Sequence, residues 1–264
     1  TSEHDIDPSK ISNFLSTKLP SYMIPIEYKH IKDFIQTENG KIDRKRIYEC
    51  IELKADEIKS HPSNSNELTN IQKSIFQVKI GTGKTKILIW SQMHGNEPTT
   101  TKGLFDFFNF LSSDNETANY IKETYTLVCI PMLNPDGAFA YTRENANMVD
   151  LNRDALSATQ PEMQLLRAIF EALQPDFCYN MHDQRTIFGT EGANLPATIS
   201  FLAPAFNTAR DYNEVRLKAI HVINRMCAAL EAYIPGQVGR FDDSYNGNCA
   251  GDYFTTQEAP TILF

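Results

Sequence analysis

Apolar residues in the larger, later part of the chain form short continuous runs that alternate with longer stretches of helical periodicity. The runs that we predict to be strands are KILIW, TLVCIPML, DFCYNMH, ATISFLAP and APTILF. The stretches that we predict to be helices are TTKGLFDFFNFL, PEMQLLRAIFEAL and NEVRLKAIHVINRMCAALEAYI. Strands that are apolar throughout are typical of a sheet covered on both faces. The pattern therefore predicts an α/β fold, with a mixed, mostly parallel sheet flanked by helices.

The first part of the chain lacks this alternation. Residues 8–18 have apolar positions at helical spacing, and the prolines of LPSYMIP end the predicted helix. EYKHIKDFIQ predicts a short strand, Asn39-Gly40 a turn, and DRKRIYECIELKADEIK a helix or a charged linker. SHPSNSNE has the composition of a linker. ELTNIQKSIFQ, residues 67–77, fits the start of another helix.

This change in pattern divides the chain. We predict a small α+β segment over residues 1–59, a linker or the start of a helix over 60–77, and the main domain over 78–264. A total of 264 residues is enough for one large domain or two small ones.

Composition excludes some classes of partner. The net charge of −8 argues against nucleic acid, which calls for a basic surface. No apolar stretch approaches the length of a membrane span, and the polar N-terminal sequence TSEHDIDPSK is not a signal peptide. We therefore expect neither a nucleic acid nor a membrane as partner.

The cysteines favour a reducing environment. They are odd in number, widely spaced and without a CxxC pair: Cys50, Cys129, Cys178, Cys227 and Cys249. Free cysteines in apolar runs behave as small hydrophobic residues. We therefore predict reduced thiols and a cytoplasmic protein.

Polar clusters follow several of the predicted strands. These clusters contain His94 and Glu97 after KILIW, NPDG after TLVCIPML, His182 at the end of DFCYNMH, and Arg143, Asn152 and Arg153 in the intervening YTRENANMVDLNRD. Functional sites of α/β proteins collect at the carboxyl ends of strands. Two histidines and a glutamate are a ligand set of catalytic zinc, and nearby arginines suit a substrate with a carboxylate.

Each cluster taken alone has an ordinary structural explanation. A histidine three residues before a glutamate arises easily by chance, and a single histidine such as His182 is more often simply hydrogen-bonded. NPDG is also a turn sequence, and DLNRD fits a helix cap made by Asp150 or Asn152. The order of the clusters along the chain is what favours a common site.

Taken in order, HGNE, NPDG, TREN, DLNRD and NMHD resemble the zinc carboxypeptidase A family in its short bacterial form, over about residues 78–264. The resemblance implies that His94, Glu97 and His182 hold Zn²⁺ and that Arg143 stabilises the oxyanion at the attacked carbonyl. It also implies a carboxypeptidase-like fold. Gly95 is then expected to allow the tight turn between the first two ligands.

The same resemblance implies how the substrate is bound. Asn152 and Arg153 would bind its terminal carboxylate, and Tyr245 would be either the mobile tyrosine that covers the substrate or an ordinary surface residue. The family's general base is a glutamate expected directly after APTILF, beyond Phe264, and we interpret Glu258 as a loop residue. We therefore expect an incomplete carboxypeptidase-like domain that keeps its metal and has little or no peptidase activity.

A second resemblance lies near the start of the chain. LPSYMIP followed by NGKIDRK resembles the C-terminal tail of adenylation domains of nonribosomal peptide synthetases, over about residues 1–76. Lys41 would be the lysine that reaches the acyl-adenylate, although a hairpin turn with a solvated lysine also fits. NELTNIQKSIF is similar to the first helix of a carrier domain. Because the nucleotide-binding bulk of such an enzyme is missing, we expect Lys41 to be inactive.

GTGKTK, residues 81–86, is not a phosphate-binding loop. Val78 stands where the motif needs a glycine, and a strand rather than a helix follows, so we predict a turn between two strands.

Four functions remain open at this point. The chain is a zinc peptidase that releases a C-terminal residue, a deacylase of small N-acyl amino acids with the same zinc site, a non-catalytic zinc-binding chain, or an accessory module of an adenylation domain. The first two share a substrate with a free carboxylate.

Overall fold

A computed structural model describes residues 73–184, 188–190, 192 and 194–264, together with the backbone of 56–58 and residues 10, 13 and 17. The chain divides into two compact units, residues 1–54 and 55–264. The strand predicted in EYKHIKDFIQ, the turn at Asn39-Gly40, the linker SHPSNSNE and Lys41 lie outside the described residues.

The described residues of the second unit form eight strands and six α-helices. The strands are β1 (Asp56–Ile58), β2 (Ile75–Ile80), β3 (Thr85–Ser91), β4 (Tyr125–Ile130), β5 (Phe177–Met181), β6 (Ile199–Phe201), β7 (Val238–Arg240) and β8 (Thr261–Leu263). The helices are α1 (Thr99–Ser112), α2 (Glu116–Thr124), α3 (Pro135–Ala140), α4 (Pro161–Leu173), α5 (Glu214–Leu230) and α6 (Ala250–Thr256), with a 3₁₀ helix at Leu151–Arg153.

The main sheet has the strand order β1-β2-β4-β3-β5-β8. Strands β4, β3, β5 and β8 run parallel, and β1 and β2 are added antiparallel at one edge. The predicted mixed, mostly parallel sheet flanked by helices is confirmed. Strands β6 and β7 form a separate parallel pair, so the predicted strand ATISFLAP lies largely outside the main sheet.

Apolar residues cover both faces of the main sheet. In β3, Leu88 and Trp90 join a core cluster that includes residues of α4 and α6, such as Phe170 and Phe254. Ile87 and Ile89 point to the other face, where helices α1 and α2 pack. Because successive side chains of a strand alternate between faces, two buried faces require an apolar run without alternation, as the sequence has.

Two predictions about local structure were wrong. Residues 75–77 begin β2 instead of continuing a helix, because Ile75 is buried and the strand pairs with β4. Residues 56–58 form a strand within the stretch predicted as helix or charged linker. NPDG does more than turn the chain: Asn134 accepts a hydrogen bond from Gly137 N at 2.8 Å and so caps α3, which begins at Pro135.

GTGKTK is a turn between two strands, as predicted. It connects β2 to β3, which lie on opposite sides of β4, and Gly81 has a φ of 80° that favours glycine. Among the helices of the described part of the chain, none combines the length and apolarity needed to cross a bilayer.

Candidate metal centre

Neighbouring parallel strands bring the two histidines to one edge of the sheet. Strand β3 pairs with β5, with Ser91 opposite Met181, and His94 and His182 follow these strand ends. Gly95 lies against another loop: a Cβ on this residue would be 1.9 Å from the carbonyl carbon of Gly137. Glycine is therefore needed here for the close approach of two backbones, in addition to any role in the turn.

The side chains of His94, Glu97 and His182 meet at this edge. His94 Nδ1 lies 2.8 Å from Glu97 Oε1, and His182 Nδ1 lies 2.9 Å from Glu97 Oε2. The two Nδ1 atoms are 3.2 Å apart. One donor atom from each residue lies within 4.8 Å of the other two, which makes this trio a candidate cation site.

The spacing of these donor atoms fits zinc. Zinc–nitrogen bonds of about 2.0–2.1 Å in a tetrahedral site place two ligand nitrogens about 3.3–3.4 Å apart. The observed Nδ1–Nδ1 distance of 3.2 Å is close to that value. Two imidazole nitrogens and a carboxylate are also the ligand types that zinc prefers.

Asp150 holds His94 from the opposite side of its ring. Its Oδ1 lies 3.1 Å from His94 Nε2 and also accepts a hydrogen bond from the backbone N–H of Asn152 at 2.9 Å. The interpretation of DLNRD as a cap is thus confirmed for Asp150, which caps the 3₁₀ helix. The contact with His94 was not predicted, because it joins residues 56 positions apart and only the fold brings them together.

Arg143 lies beside the same cluster. Its Nε donates to Asp150 Oδ2 at 3.0 Å, and its Nη1 donates to Glu97 Oε1 at 3.4 Å. The side chain is 40% exposed, so the guanidinium group is reachable from solvent. The cluster therefore has a positive group at its solvent side.

Burial and hydrogen bonding act in opposite directions on the acidic groups. Burial alone would raise the pKa of Glu97, but its hydrogen bonds with His182 and His94 lower it far below the usual value. The pKa of Asp150 is also lowered, because hydrogen bonding to His94 and the charge of Arg143 outweigh burial. Both carboxylates are therefore ionised and able to face a cation.

The two histidines respond differently to their surroundings. Burial opposes protonation of His94, but the hydrogen bonds with Asp150 and Glu97 outweigh it and raise the pKa. Burial dominates at His182 and lowers the pKa, despite the hydrogen bond with Glu97. A metal binds the neutral form of imidazole. The raised pKa of His94 therefore opposes metal binding as pH falls, whereas the lowered pKa of His182 keeps that ring in the binding form.

The residues expected to bind a substrate carboxylate lie on the adjoining 3₁₀ helix. Asn152 Oδ1 accepts a hydrogen bond from Ala250 N at 2.9 Å, which ties it to the start of α6. Arg153 is exposed, and its Nη1 contacts Asn152 O at 2.7 Å and Cys249 Sγ at 3.1 Å. Asp150 caps the helix of these two residues and also contacts His94, so it connects them to the candidate cation site.

Tyr245 and Glu258 lie apart from these contacts. Tyr245 is half-buried and packs against Gly247, on which a Cβ would be 2.9 Å from the phenol oxygen. Glu258 is exposed in the turn between α6 and β8, with a φ of 63°. Within the described residues, no hydrogen bond joins either side chain to the metal cluster.

Comparison with known proteins gives one family match. The family described as Zinc carboxypeptidase (Peptidase_M14) matches residues 52–195, which is more than half of the chain. Carboxypeptidase 2 of Trichophyton rubrum is 28% identical over 100 residues, covering 37% of this chain and 19% of the relative. The D-alanine--D-alanyl carrier protein ligase of Bacillus licheniformis is 46% identical over 52 residues, covering 18% of this chain and 10% of the relative. The matches thus span only a fifth or less of these curated relatives.

Solved structures share the fold. A metallo-carboxypeptidase from Burkholderia cenocepacia has a TM-score of 0.56 at 17% sequence identity, and the match covers 73% of this chain and 52% of that one. The similarity extends to about half of the larger structure.

Proposed function

Because the chain belongs to the zinc carboxypeptidase family, we propose that it acts as a zinc-dependent metallocarboxypeptidase that releases the C-terminal residue of a peptide. The observation that carries this proposal is the meeting of His94 Nδ1, His182 Nδ1 and the Glu97 carboxylate at one edge of the sheet. Arg143 at the solvent side of this trio adds to its support.

In the proposed site, His94, Glu97 and His182 would hold the zinc ion. Bound there, zinc supplies Lewis acidity and a coordinated water whose pKa is lowered to about 7. Glu97 is anionic, and the two Nδ1 atoms face its carboxylate. With their protons on Nε2, the neutral imidazoles would present Nδ1 lone pairs to the ion.

Arg143 would stabilise negative charge on the attacked carbonyl oxygen. Asp150 holds its Nε, which fixes the plane of the guanidinium group, and its exposure leaves it within reach of a substrate. A preorganised donor of this kind stabilises a developing oxyanion without having to reorient during the reaction.

Arg153 would bind the terminal carboxylate of the substrate. Its hydrogen bonds within the described part of the chain involve only Nη1, so its other two nitrogens are not engaged there. Guanidinium binds carboxylate through two parallel hydrogen bonds. Asn152 would contribute through Nδ2, because its Oδ1 is bonded to Ala250 N. Tyr245 is proposed as the residue that covers the bound substrate.

The proposal is tested by end-group analysis of peptides. The zinc-loaded chain is incubated with peptides that differ only in a free or amidated C-terminus, and released amino acids are identified by mass spectrometry. We expect slow release, only from the free carboxylate and only with zinc, and no release by His182→Ala. Cleavage that persists after zinc removal, or that ignores amidation, would contradict the proposal.

The same assay separates the alternatives. Hydrolysis of small N-acyl amino acids but not of peptides would favour a deacylase. Stoichiometric zinc without turnover of either substrate class would favour a non-catalytic zinc-binding chain. The general-base glutamate after APTILF, and the low activity expected without it, stay predictions.

The adenylation-domain resemblance remains a separate proposal for residues 1–76. Its support is the match to the carrier protein ligase of Bacillus licheniformis, a short segment at 46% identity. We propose no adenylation activity for this segment. ATP–pyrophosphate exchange above background would contradict the expectation that Lys41 is inactive.

A further inference from the structure

Two side chains at the candidate cation site have buried polar atoms without a hydrogen-bond partner. They are His182, through Nε2, and Asn180, through both Oδ1 and Nδ2. Asn180 is fully buried, with 0% of its surface exposed. A buried polar atom left unpaired costs about 1–3 kcal/mol, and almost all such groups in native proteins are paired. Each therefore calls for a partner.

The strand geometry puts these two side chains next to each other. Asn180 lies on β5 two residues before His182, and His182 N donates to Phe264 O at 3.0 Å, so the ladder with β8 continues to His182. Phe264 N in turn donates to Asn180 O at 2.9 Å. Side chains two residues apart on a strand share one face of the sheet.

The two groups are also chemically complementary. When His182 Nδ1 binds the proposed zinc ion, the neutral ring carries its proton on Nε2, which makes Nε2 a donor. Asn180 Oδ1 is an acceptor. The other buried unpaired acceptor in the described residues is Asp136 Oδ1, which lies on α3 and faces Lys73 at 3.9 Å. Asn180 is thus the acceptor that lies beside His182.

We propose that Asn180 is a positioning residue for His182: its carboxamide oxygen accepts the Nε2–H through one buried water and fixes the tautomer that presents Nδ1 to the metal. The inference rests on the proposed zinc site. One buried water typically makes about three hydrogen bonds, so the same water would also accept a hydrogen bond from Asn180 Nδ2 or from Trp90 Nε1. Trp90 is the register partner of Asn180 and has an unpaired Nε1.

The burial of the site explains why an amide stands here in place of a carboxylate. Asp150, which plays the corresponding part for His94, is 21% exposed and ion-paired with Arg143. Asn180 is enclosed by the sheet and α6, where an unpaired charge would be costly. A neutral acceptor fixes His182 without placing a charge in the core.

The test compares zinc affinity in variants of one strand face. Asn180→Leu removes the acceptor at similar size, Asn180→Asp keeps an acceptor, and Cys178→Ala perturbs a buried neighbour on the same face of β5. We expect zinc affinity, measured by chelator competition, to fall about 10–100-fold in Asn180→Leu, as for other residues that orient a metal ligand. Asn180→Asp should recover most of it, and Cys178→Ala should change it little.

A second readout does not depend on any variant folding well. In the zinc-loaded wild-type chain, proton NMR should show a slowly exchanging imidazole Nε2–H that disappears in His182→Ala. Rapid exchange of this proton in the wild type, or unchanged zinc affinity in Asn180→Leu, would overturn the role of Asn180 alone. Full zinc retention by His182→Ala would overturn the zinc site and this inference together.

Discussion

His94 and His182 face the same carboxylate but are held in opposite ways. His94 is bonded through Nε2 to Asp150, which belongs to an ionic network with Arg143 at the solvent side. His182 follows the end of β5, and its Nε2 is buried without a hydrogen-bond partner among the described residues. The side chain of His94 is 2% exposed and that of His182 is 10% exposed, so the contrast lies in the partners of the two rings and not in how deeply the rings are buried.

Solvation is the physical cause of this difference. A carboxylate stays ionised at Asp150 because it is partly exposed and has a cation beside it. On the His182 side the sheet and helices exclude bulk water, and a carboxylate without a cation would be protonated there, so only a neutral acceptor is stable at that position.

The largest expected effect comes from removing either histidine. His94→Ala and His182→Ala should each reduce bound zinc from about one ion per chain to nearly none, because a catalytic zinc site has only three protein ligands. His221→Ala, on the exposed side of α5, is the matched control and should keep its zinc. Metal analysis of the purified variants measures this. Full zinc in one of the two variants would mean that this histidine is not a ligand.

Removal of the proposed contact between Arg153 and the substrate carboxylate should leave His94 and His182 in place. Arg153→Ala should weaken binding of an N-acyl amino acid to the zinc-loaded chain by about 1.5–3 kcal/mol, the cost of a lost charged hydrogen bond. Zinc content should stay the same. Calorimetric titration measures the affinity, with Arg225→Ala on the exposed surface of α5 as control. Equal affinity in Arg153→Ala and the wild type would remove Arg153 from the substrate site.

The role of Asp150 as the charged partner of His94 is tested by replacing its carboxylate with an amide. Asp150→Asn should lower zinc affinity about 10–100-fold, because the residue that orients a metal-binding histidine loses its charge. The exposed substitution Asp114→Asn should have no effect. Chelator competition provides the affinities. If Asp150→Asn binds zinc as tightly as the wild type, the ionic contact of Asp150 with Arg143 is not what holds His94.

The smallest effect is a difference in titration between the histidines of the metal-free chain. NMR should show the pKa of His94 above 6.5 and that of His182 below it, since hydrogen-bonded carboxylates favour the charged form of His94 and burial disfavours that of His182. Assignments come from the two alanine variants. A pKa shift in the same direction for both residues would contradict the contrast between His94 and His182.

These shifts have opposite consequences for stability. The raised pKa of His94 contributes stability below about 6.5 that is lost as pH rises through its folded pKa. The lowered pKa of His182 has the reverse sign, because the unfolded chain takes up a proton that the native chain does not, so stability is lost as pH falls below about 6.5. Thermal unfolding of the two alanine variants across pH should separate the two slopes.

The sequence was sufficient to predict the central strands and the approach of His94 and His182. KILIW and DFCYNMH are apolar without alternation because both faces of β3 and β5 are covered. Since the carboxyl ends of parallel strands meet at one edge, His94 and His182 were expected to lie close together, and their Nδ1 atoms are 3.2 Å apart.

Contacts between distant segments could not be predicted in the same way. The bond from Asp150 to His94 depends on how a loop returns to the sheet, and the motif DLNRD indicates only a cap. Residues 75–77, the start of β2, were predicted as part of a helix because Leu68, Ile71 and Ile75 have helical spacing. Asn180 stood within an apparently apolar run, and its polar atoms become informative only once its complete burial is known.

The position of the metal tests the central claim most directly. Crystals of the zinc-loaded chain, measured on both sides of the zinc absorption edge, would locate the ion by its anomalous scattering. The account predicts one strong peak, about 2.0–2.2 Å from His94 Nδ1, His182 Nδ1 and a Glu97 carboxylate oxygen. A peak at another group of residues, such as the Cys249 thiol, or zinc-loaded crystals with no peak among these three side chains, would contradict it.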